Sequence, residues 1–259
     1  LLVPNCLVRF SKSRMRALSE FGMLKGMALP ILFFPSSFLS TFSTLLIPEI
    51  TEASALGQTQ KVERAVTHSL RITLLLSIPI SGIFTMFSSN LGLIIYRSQE
   101  VGFLIGVLAP IMPFMYLESV VDGLLKGLDQ QVSSLKYSMF DSVFRITAII
   151  LLVPARGMKG FLFIMIVSNI LTSSLNIHRL LVVTGVRMRW AQWVLKPLLA
   201  IITSGVVTVG LQHIINGYSL PMPVAVLILS AAMLLMYAVL LYMFGSISAA
   251  DFILFSSKR

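Results

Sequence analysis

Four charged residues lie inside long apolar stretches of the sequence, and a fifth, Lys126, directly follows one of these stretches. Glu118, Asp122 and Lys126 are spaced four residues apart, so on a helix they share one face and Asp122 is well placed to pair with Lys126. Asp141 and Arg145 repeat this spacing. Charges inside membrane-spanning helices are costly and usually face the bundle interior or a water-filled cavity. These residues are therefore the strongest candidates for a functional site.

The two signs of charge predict different chemistry. Arginine and lysine are natural partners of phosphate, whereas a carboxylate can take up a proton or hold a cation. The candidates for binding a phosphate-bearing substrate are Arg71, Lys126 and Arg145. The candidates for coupling to an ion or for lining a cavity are Glu118, Asp122 and Asp141.

A structural interpretation of the same charges stays open. Asp122 with Lys126, and Asp141 with Arg145, have the spacing of stabilising ion pairs, and Lys126 is placed to extend towards the lipid headgroups. Glu118 has no obvious partner nearby in the sequence, which makes a functional role more plausible for it than for the pairs.

The composition is that of an integral membrane protein. Of 259 residues, 56% are hydrophobic and only 12% are charged, whereas soluble domains contain roughly 25% charged residues. The net charge of +10 comes from basic residues in short loops, as at a membrane surface, and does not indicate a nucleic-acid partner. The single cysteine, Cys6, excludes a disulfide within the chain, and no Cys/His cluster indicates a metal or other cofactor.

The apolar runs predict seven transmembrane helices. They are continuous runs and not ten-residue alternating segments, so we expect an α-helical bundle and not a β-barrel. The predicted spans are residues 26–48, 72–96, 101–125, 137–154 and 160–177, with two more within 197–250 separated by turn residues at 213–223. This divides the chain into a basic leading loop (1–25), five transmembrane helices (26–184), and two additional helices with a short cytoplasmic tail (185–259).

Prolines and glycines inside these spans predict local features of the helices. The prolines at 30, 35, 48, 79, 110 and 113 are expected to bend or break helices and to free backbone carbonyls. Glycines at 82, 92, 102 and 106 are expected to permit close helix packing.

The loop charges predict an orientation in the cell membrane. One side of the predicted topology collects eleven basic residues and the other only three, which places the richer side and the carboxy terminus in the cytoplasm. The leading segment does not fit, because its five basic residues fall on the outer side. The sequence also opens without methionine, from which we expect a piece of a longer protein.

Two stretches carry a family resemblance. The first span ends in a Leu-Ile-Pro-Glu motif that contains Pro48 and Glu49 and continues to Glu52, and residues 116–131 contain a Gly-Leu-Leu-Lys-Gly-Leu-Asp turn. In this order the chain resembles the multidrug/oligosaccharidyl-lipid/polysaccharide (MOP, MATE-like) exporter superfamily. Within it, the chain resembles the oligosaccharide and polysaccharide flippase branch, which includes the stage V sporulation protein B family. Glu49 and Glu52 are expected at a solvated helix end.

The resemblance implies a fold and a partner. Members have fourteen spans, arranged as two six-helix lobes around a central cavity with two extra helices at the end. The seven spans here would be the eighth to the fourteenth, forming the second lobe. The amino-terminal lobe of the full-length protein would then be needed to enclose the cavity.

The resemblance also implies a function. It predicts a flippase that moves a lipid-linked oligosaccharide, polysaccharide or peptidoglycan precursor by alternating access, in spore cortex or cell-wall synthesis. Its partners would be membrane lipids, the lipid-linked sugar, whose pyrophosphate the basic residues would hold, and a proton or cation. A cation-coupled multidrug exporter of the same superfamily is the main alternative. A membrane-bound transferase is a weaker one, because we find no HxxxxD, GxSxG or Walker motif, and the chain is not predicted to be an enzyme.

Overall fold

The computed structural model describes residues 2–215 and 221–245, which form helices joined by short turns and contain no β-strand. The helices are α1 (Leu2–Ser11), α2 (Arg14–Met23), α3 (Leu29–Phe33), α4 (Ser36–Ala55), α5 (Thr59–Met86), α6 (Ser88–Tyr96), α7 (Gln99–Leu108), α8 (Met112–Gly127), α9 (Gln131–Thr184), α10 (Lys196–Ile215) and α11 (Met222–Met243). Short π-helical turns at Leu24–Ala28 and Ala191–Leu195 and a 3-10 turn at Ala109–Ile111 connect some of them. The prediction of an all-α membrane protein is confirmed. The predicted tail beyond residue 245 lies outside the described residues.

The number of spans differs from a simple count of helices. Five helices in the described part are long and apolar enough to cross a membrane, or six if the pair Arg14–Phe33 and Ser36–Ala55, bent by 57°, is one broken span. α9 alone has 54 residues and would be about 80 Å long if straight, far more than the roughly 30 Å of a bilayer core. It corresponds to the predicted fourth and fifth spans together, and the predicted seven crossings result if each half of α9 crosses once.

α9 is a helical hairpin folded at Gly157. At this residue φ is 59° and ψ is −141°, a conformation that essentially only glycine adopts. Ser168 contacts Arg145, and Arg179 Nη2 donates to Gln130 Oε1 at 2.7 Å. Because the residues of both pairs lie on opposite sides of Gly157, the segments before and after it, here called the first and second arms, run antiparallel side by side.

The leading segment is helical, which corrects its prediction as a loop. The extended conformation of Ser13 separates α1 from α2, and its side chain accepts a hydrogen bond from the backbone N–H of Arg16. In α1, Cys6 and Leu7 are buried, and the helix packs against α9. The segment was predicted as a loop because it contains many basic residues, although its apolar residues are spaced as in a helix.

The predicted second span is also divided. Its helix α5 starts earlier than predicted, at Thr59, and ends at Met86, and Phe87 has non-helical dihedral angles. The remainder forms the short helix α6, which turns at Arg97 in the left-handed conformation and packs against α7. A continuous apolar run therefore hides a break that hydropathy alone does not reveal.

Close packing at the glycines is confirmed. A Cβ atom on Gly92 would clash with the backbone nitrogen of Gly102, so α6 and α7 are in backbone contact. A Cβ on Gly82 would clash with Cγ1 of Ile201, where α5 meets α10. At Gly92 a larger residue would force the backbones of α6 and α7 apart, whereas at Gly82 the side chain of Ile201 would have to shift.

Two proline breaks are stabilised by hydroxyl groups from neighbouring helices. Pro113 has no N–H to bond the carbonyl of Ala109 four residues earlier, and Ser81 Oγ donates to that carbonyl at 2.8 Å. At the break between α3 and α4, Tyr116 Oη donates to the carbonyl of Leu32 at 2.7 Å. The Ala109 carbonyl also accepts a hydrogen bond from the backbone N–H of Met112, so Ser81 adds a second bond there. In both places the hydroxyl group connects the break to a neighbouring helix.

The helix α8 forms the centre of the fold. It packs against α4, α5 and α9, and the most apolar stretch of the span Gln99–Gly127 is 61% buried. The most apolar stretches of the spans Ala191–His213 and Met222–Met243 are each only 28% buried. The helices α10 and α11 pack mainly on each other and on α5. α8 and the hairpin α9 carry five of the predicted site residues, which are Glu118, Asp122, Lys126, Asp141 and Arg145.

Candidate functional site

A network of charges joins the two arms of α9. Arg145 Nη2 lies 2.8 Å from Asp141 Oδ2, which confirms the predicted ion pair. Arg145 Nε also donates to Ser168 Oγ at 3.0 Å, and the Ser168 hydroxyl donates to Asp141 Oδ1. Asp141 and Ser168 are buried. Ser168, which was not among the predicted site residues, completes the network from the second arm.

This network lies inside the predicted spans 137–154 and 160–177. Asp141 is about 6 Å along the helix from the start of the first of these spans, whereas Arg145 and Ser168 are each about 12 Å inside their spans, close to the centre. An unpaired charge at that depth costs about 2.5–3.5 kcal/mol on insertion scales. The mutual pairing of Asp141 and Arg145 therefore offsets much of the cost of placing both there.

A second ion pair lies closer to the end of α8. Lys126 Nζ is 2.7 Å from Asp122 Oδ2, as predicted, and Ser134 Oγ of the first arm donates to Asp122 Oδ1 at 2.8 Å. The carboxylate Asp122 is 38% exposed, whereas Asp141 is only 9% exposed, and the two cations Lys126 and Arg145 are 54% and 43% exposed, so this pair is less protected than the one on α9. Its position fits the structural interpretation, in which Lys126 extends towards the headgroups.

Glu118 lies between the two pairs. It interacts electrostatically with Asp141, Arg145 and Asp122, and it is partly buried. Among the residues that the structure describes, it has no hydrogen-bond or ion-pair partner. We call the five charged residues Glu118, Asp122, Lys126, Asp141 and Arg145 the charged cluster. It contains one more carboxylate than cations.

Buried polar residues extend the cluster along the second arm. Thr172 and Asn176 follow Ser168 at intervals of four residues, and Ser173 lies beside them. Ser173 Oγ and Asn176 Oδ1 have no hydrogen-bond partner in the described part of the chain. This polar stripe leads towards Arg179 and could have been found in the sequence from its helical spacing within an otherwise apolar run.

Arg71 lies outside the charged cluster. It lines an open cavity of about 500 Å³ on one face of α5 and is engaged in interactions of its own. The other residues at this cavity are Gln60, Glu63, Arg64, Thr67 and His68. The structure thus brings Lys126 and Arg145 into the same cluster but places the third predicted phosphate ligand in a different cavity.

The motif residues lie at an exposed helix end. Pro48, Glu49 and Glu52 are all exposed on α4, which agrees with the expected solvated position. The neighbouring Thr51 donates its hydroxyl to the carbonyl of Gly127 at 3.0 Å, so the two stretches that carry the family resemblance contact each other. No group of three or more potential metal-ligating side chains occurs within the described residues.

Comparison with known proteins gives distant similarity to two sporulation proteins of Bacillus subtilis (strain 168), and no family model matches the chain. Stage V sporulation protein B is 22% identical over 244 residues, which cover 93% of this chain and 47% of that protein. Sporulation protein YkvU is 28% identical over 127 residues, or 49% of this chain and 28% of that protein. The chain spans about half the length of the first of these proteins, and over nearly all of its own length it is distantly similar to stage V sporulation protein B.

Proposed function

We propose that the chain forms part of a flippase that moves a lipid-linked oligosaccharide, polysaccharide or peptidoglycan precursor across the cell membrane. The observation that carries the proposal is the network of Asp141, Arg145 and Ser168 that joins the two arms of α9 inside the spans, because charges within membrane-spanning helices are typical of transport pathways. The distant similarity to stage V sporulation protein B favours a transporter over an enzyme and suggests a role in sporulation or cell-wall synthesis.

The geometry favours coupling, and not phosphate binding, as the role of the charged cluster. Each of its cations is already held by a carboxylate, Lys126 by Asp122 and Arg145 by Asp141. The cluster therefore has little positive charge to offer a pyrophosphate. Glu118, which makes no hydrogen bond within the part of the chain that the structure describes, is the group on which a proton or cation would bind.

The phosphate of the substrate would be bound on α5, where His68 and Arg71 would exchange their present interactions for contacts with the phosphate. Arg64, His68 and Arg71 are spaced at helical intervals along one open cavity. In the predicted orientation this part of α5 lies on the cytoplasmic side, together with the carboxy terminus, where a lipid-linked precursor would enter. In this proposal the amino-terminal lobe completes the cavity, and the proline breaks at α3–α4 and α7–α8 permit the helix movements of alternating access.

A cation-coupled multidrug exporter is the second candidate, and one observation favours it. The excess of carboxylates over cations in the charged cluster suits a positively charged substrate as well as a coupling ion. An exporter of this kind would bind its substrate at the cluster and would not need the basic residues on α5.

A competition experiment separates the two candidates. The complete protein that contains this chain is reconstituted into liposomes, and movement of a fluorescent polyprenyl-diphosphate sugar is followed with and without a lipophilic cationic drug. A flippase should move the labelled lipid and should be inhibited by unlabelled polyprenyl-diphosphate sugar, with little effect of the drug. Transport of the drug without any movement of the lipid would contradict the flippase and support the exporter.

A further inference from the structure

A large cavity lies at the end of the molecule opposite to the carboxyl end of α8. Its volume is about 890 Å³, and it lies between α2, the start of α7 and the turn of the α9 hairpin. Three basic residues line it, Arg16, Arg156 and Lys159, together with the carboxylates Glu20 and Glu100. Arg16 pairs with Glu20 at 3.2 Å. The cavity thus combines residues from segments that are far apart in the sequence.

Two of these cations are available to a ligand. Arg156 and Lys159 are exposed and form no ion pair with any residue that the structure describes. They lie on either side of Gly157, so the fold of the hairpin presents both at its tip. Two neighbouring cations without carboxylate partners are suited to a phosphate, which accepts several charge-assisted hydrogen bonds at once.

The same cavity has an apolar wall. Met15 is 83% exposed and Phe103 is 54% exposed, and both line the cavity beside the basic residues. Exposed apolar side chains next to lysine and arginine are typical of a membrane interface, where a headgroup meets a hydrocarbon chain. This arrangement favours a ligand with a phosphate head and a lipid tail over a free phosphate ion.

The position of these cations is otherwise unexplained by topology. In the predicted orientation they belong to the side of the membrane that carries few basic residues, and the leading segment adds Arg16 to that side. Orientation alone does not require cations there, whereas a binding site does. We infer that this cavity binds the headgroup of a phosphate-bearing amphiphile, either a phospholipid or a polyprenyl-diphosphate sugar, through Arg156 and Lys159.

Native mass spectrometry of the complete protein in detergent tests this site. The probes are phosphatidylglycerol, a polyprenyl-diphosphate sugar and, as a lipid without phosphate, diacylglycerol. The Arg156→Gln/Lys159→Gln variant should bind at least one of the two phosphate lipids about tenfold more weakly than the wild type. The matched control, Arg187→Gln/Arg189→Gln, removes two exposed cations elsewhere and should bind within about twofold of the wild type.

The outcomes distinguish the source of the ligand. If only binding of the polyprenyl-diphosphate sugar falls, the site serves the transported substrate; if binding of phosphatidylglycerol falls, it holds a bilayer lipid. Wild-type affinity for both phosphate lipids in the double variant, or equal binding of diacylglycerol by the wild type, would overturn the inference. If this inference fails but the wild-type protein still moves the labelled polyprenyl-diphosphate sugar across liposomes, the proposed function is not affected.

A variant with the opposite expected effect guards against a folding artefact. Glu100 is an exposed carboxylate at the same cavity, and Glu100→Gln removes its repulsion of a phosphate. Affinity for the phosphate lipid that the wild type binds should then rise by about threefold. Unchanged or weaker binding would contradict the electrostatic basis of the site.

Discussion

Replacement of Asp141 by alanine is expected to destabilise the complete protein by about 3–5 kcal/mol, because it leaves the guanidinium of Arg145 without its carboxylate inside the membrane. The loss should appear as a large drop in the thermal unfolding midpoint in detergent, accompanied by loss of transport. Removing Arg145 as well should recover part of the stability, since no unpaired charge then remains.

Lys126→Ala is the matched control for this experiment. It breaks an ion pair with the same spacing of four residues, but the Lys126 side chain is 54% exposed and the pair lies near the end of α8. Exposed pairs contribute only about 0–1 kcal/mol. Equal destabilisation by Lys126→Ala and Asp141→Ala would show that depth does not matter and that the network with Ser168 is not special.

Replacement of Gly157 by alanine is expected to prevent normal closure of the α9 hairpin. The dihedral angles at Gly157 alone disfavour any other residue by about 1–3 kcal/mol. In addition, the new Cβ would lie 2.5 Å from the ring of Phe10, so the ring must move out of its contact with the turn and the packing of α1 on the hairpin is weakened. We expect a lower unfolding midpoint in detergent and faster proteolysis near the amino end of the chain.

The control is another glycine with a positive φ. Gly185, at the carboxyl end of α9, has φ of 70°, but a Cβ added there would have no atom within 4 Å, so Gly185→Ala should cost only about 1–2 kcal/mol. The double variant Gly157→Ala/Phe10→Ala separates the two effects, because it removes the clash and keeps the backbone strain. If Gly157→Ala is no worse than Gly185→Ala, the contact with α1 does not stabilise the hairpin.

The sequence predicted the elements of the fold better than their boundaries. Long apolar runs identify spans because a helix must be apolar over its length to cross the bilayer core. The spacing of four residues within these runs predicted both ion pairs correctly. The break at Phe87 and the helices of the leading segment escaped prediction. Neither depends on hydropathy: the first is set by packing of α6 on α7, and the second by burial of Cys6 and Leu7 against α9.

The candidate site was predictable only where its residues are neighbours on one helix. Asp141 and Arg145 are such neighbours, but the contact with Ser168 requires the hairpin, and a single sequence does not show how closely the two arms approach. For the same reason Arg71 was grouped with Lys126 and Arg145, although it lines a cavity of its own on α5. Residue type predicted the chemistry, and only the fold divides the residues between sites.

The proposed coupling role of the charged cluster can be tested by measuring how transport by the Glu118→Gln variant responds to an imposed ion gradient. Proteoliposomes of the complete protein would be loaded to give a proton or sodium gradient, and movement of the labelled polyprenyl-diphosphate sugar compared with and without it. We expect the gradient to accelerate the wild type and a Glu49→Gln control, whereas Glu118→Gln should move the lipid at a rate that the gradient does not change. Acceleration of Glu118→Gln to the same extent as the wild type would contradict a coupling role for the charged cluster.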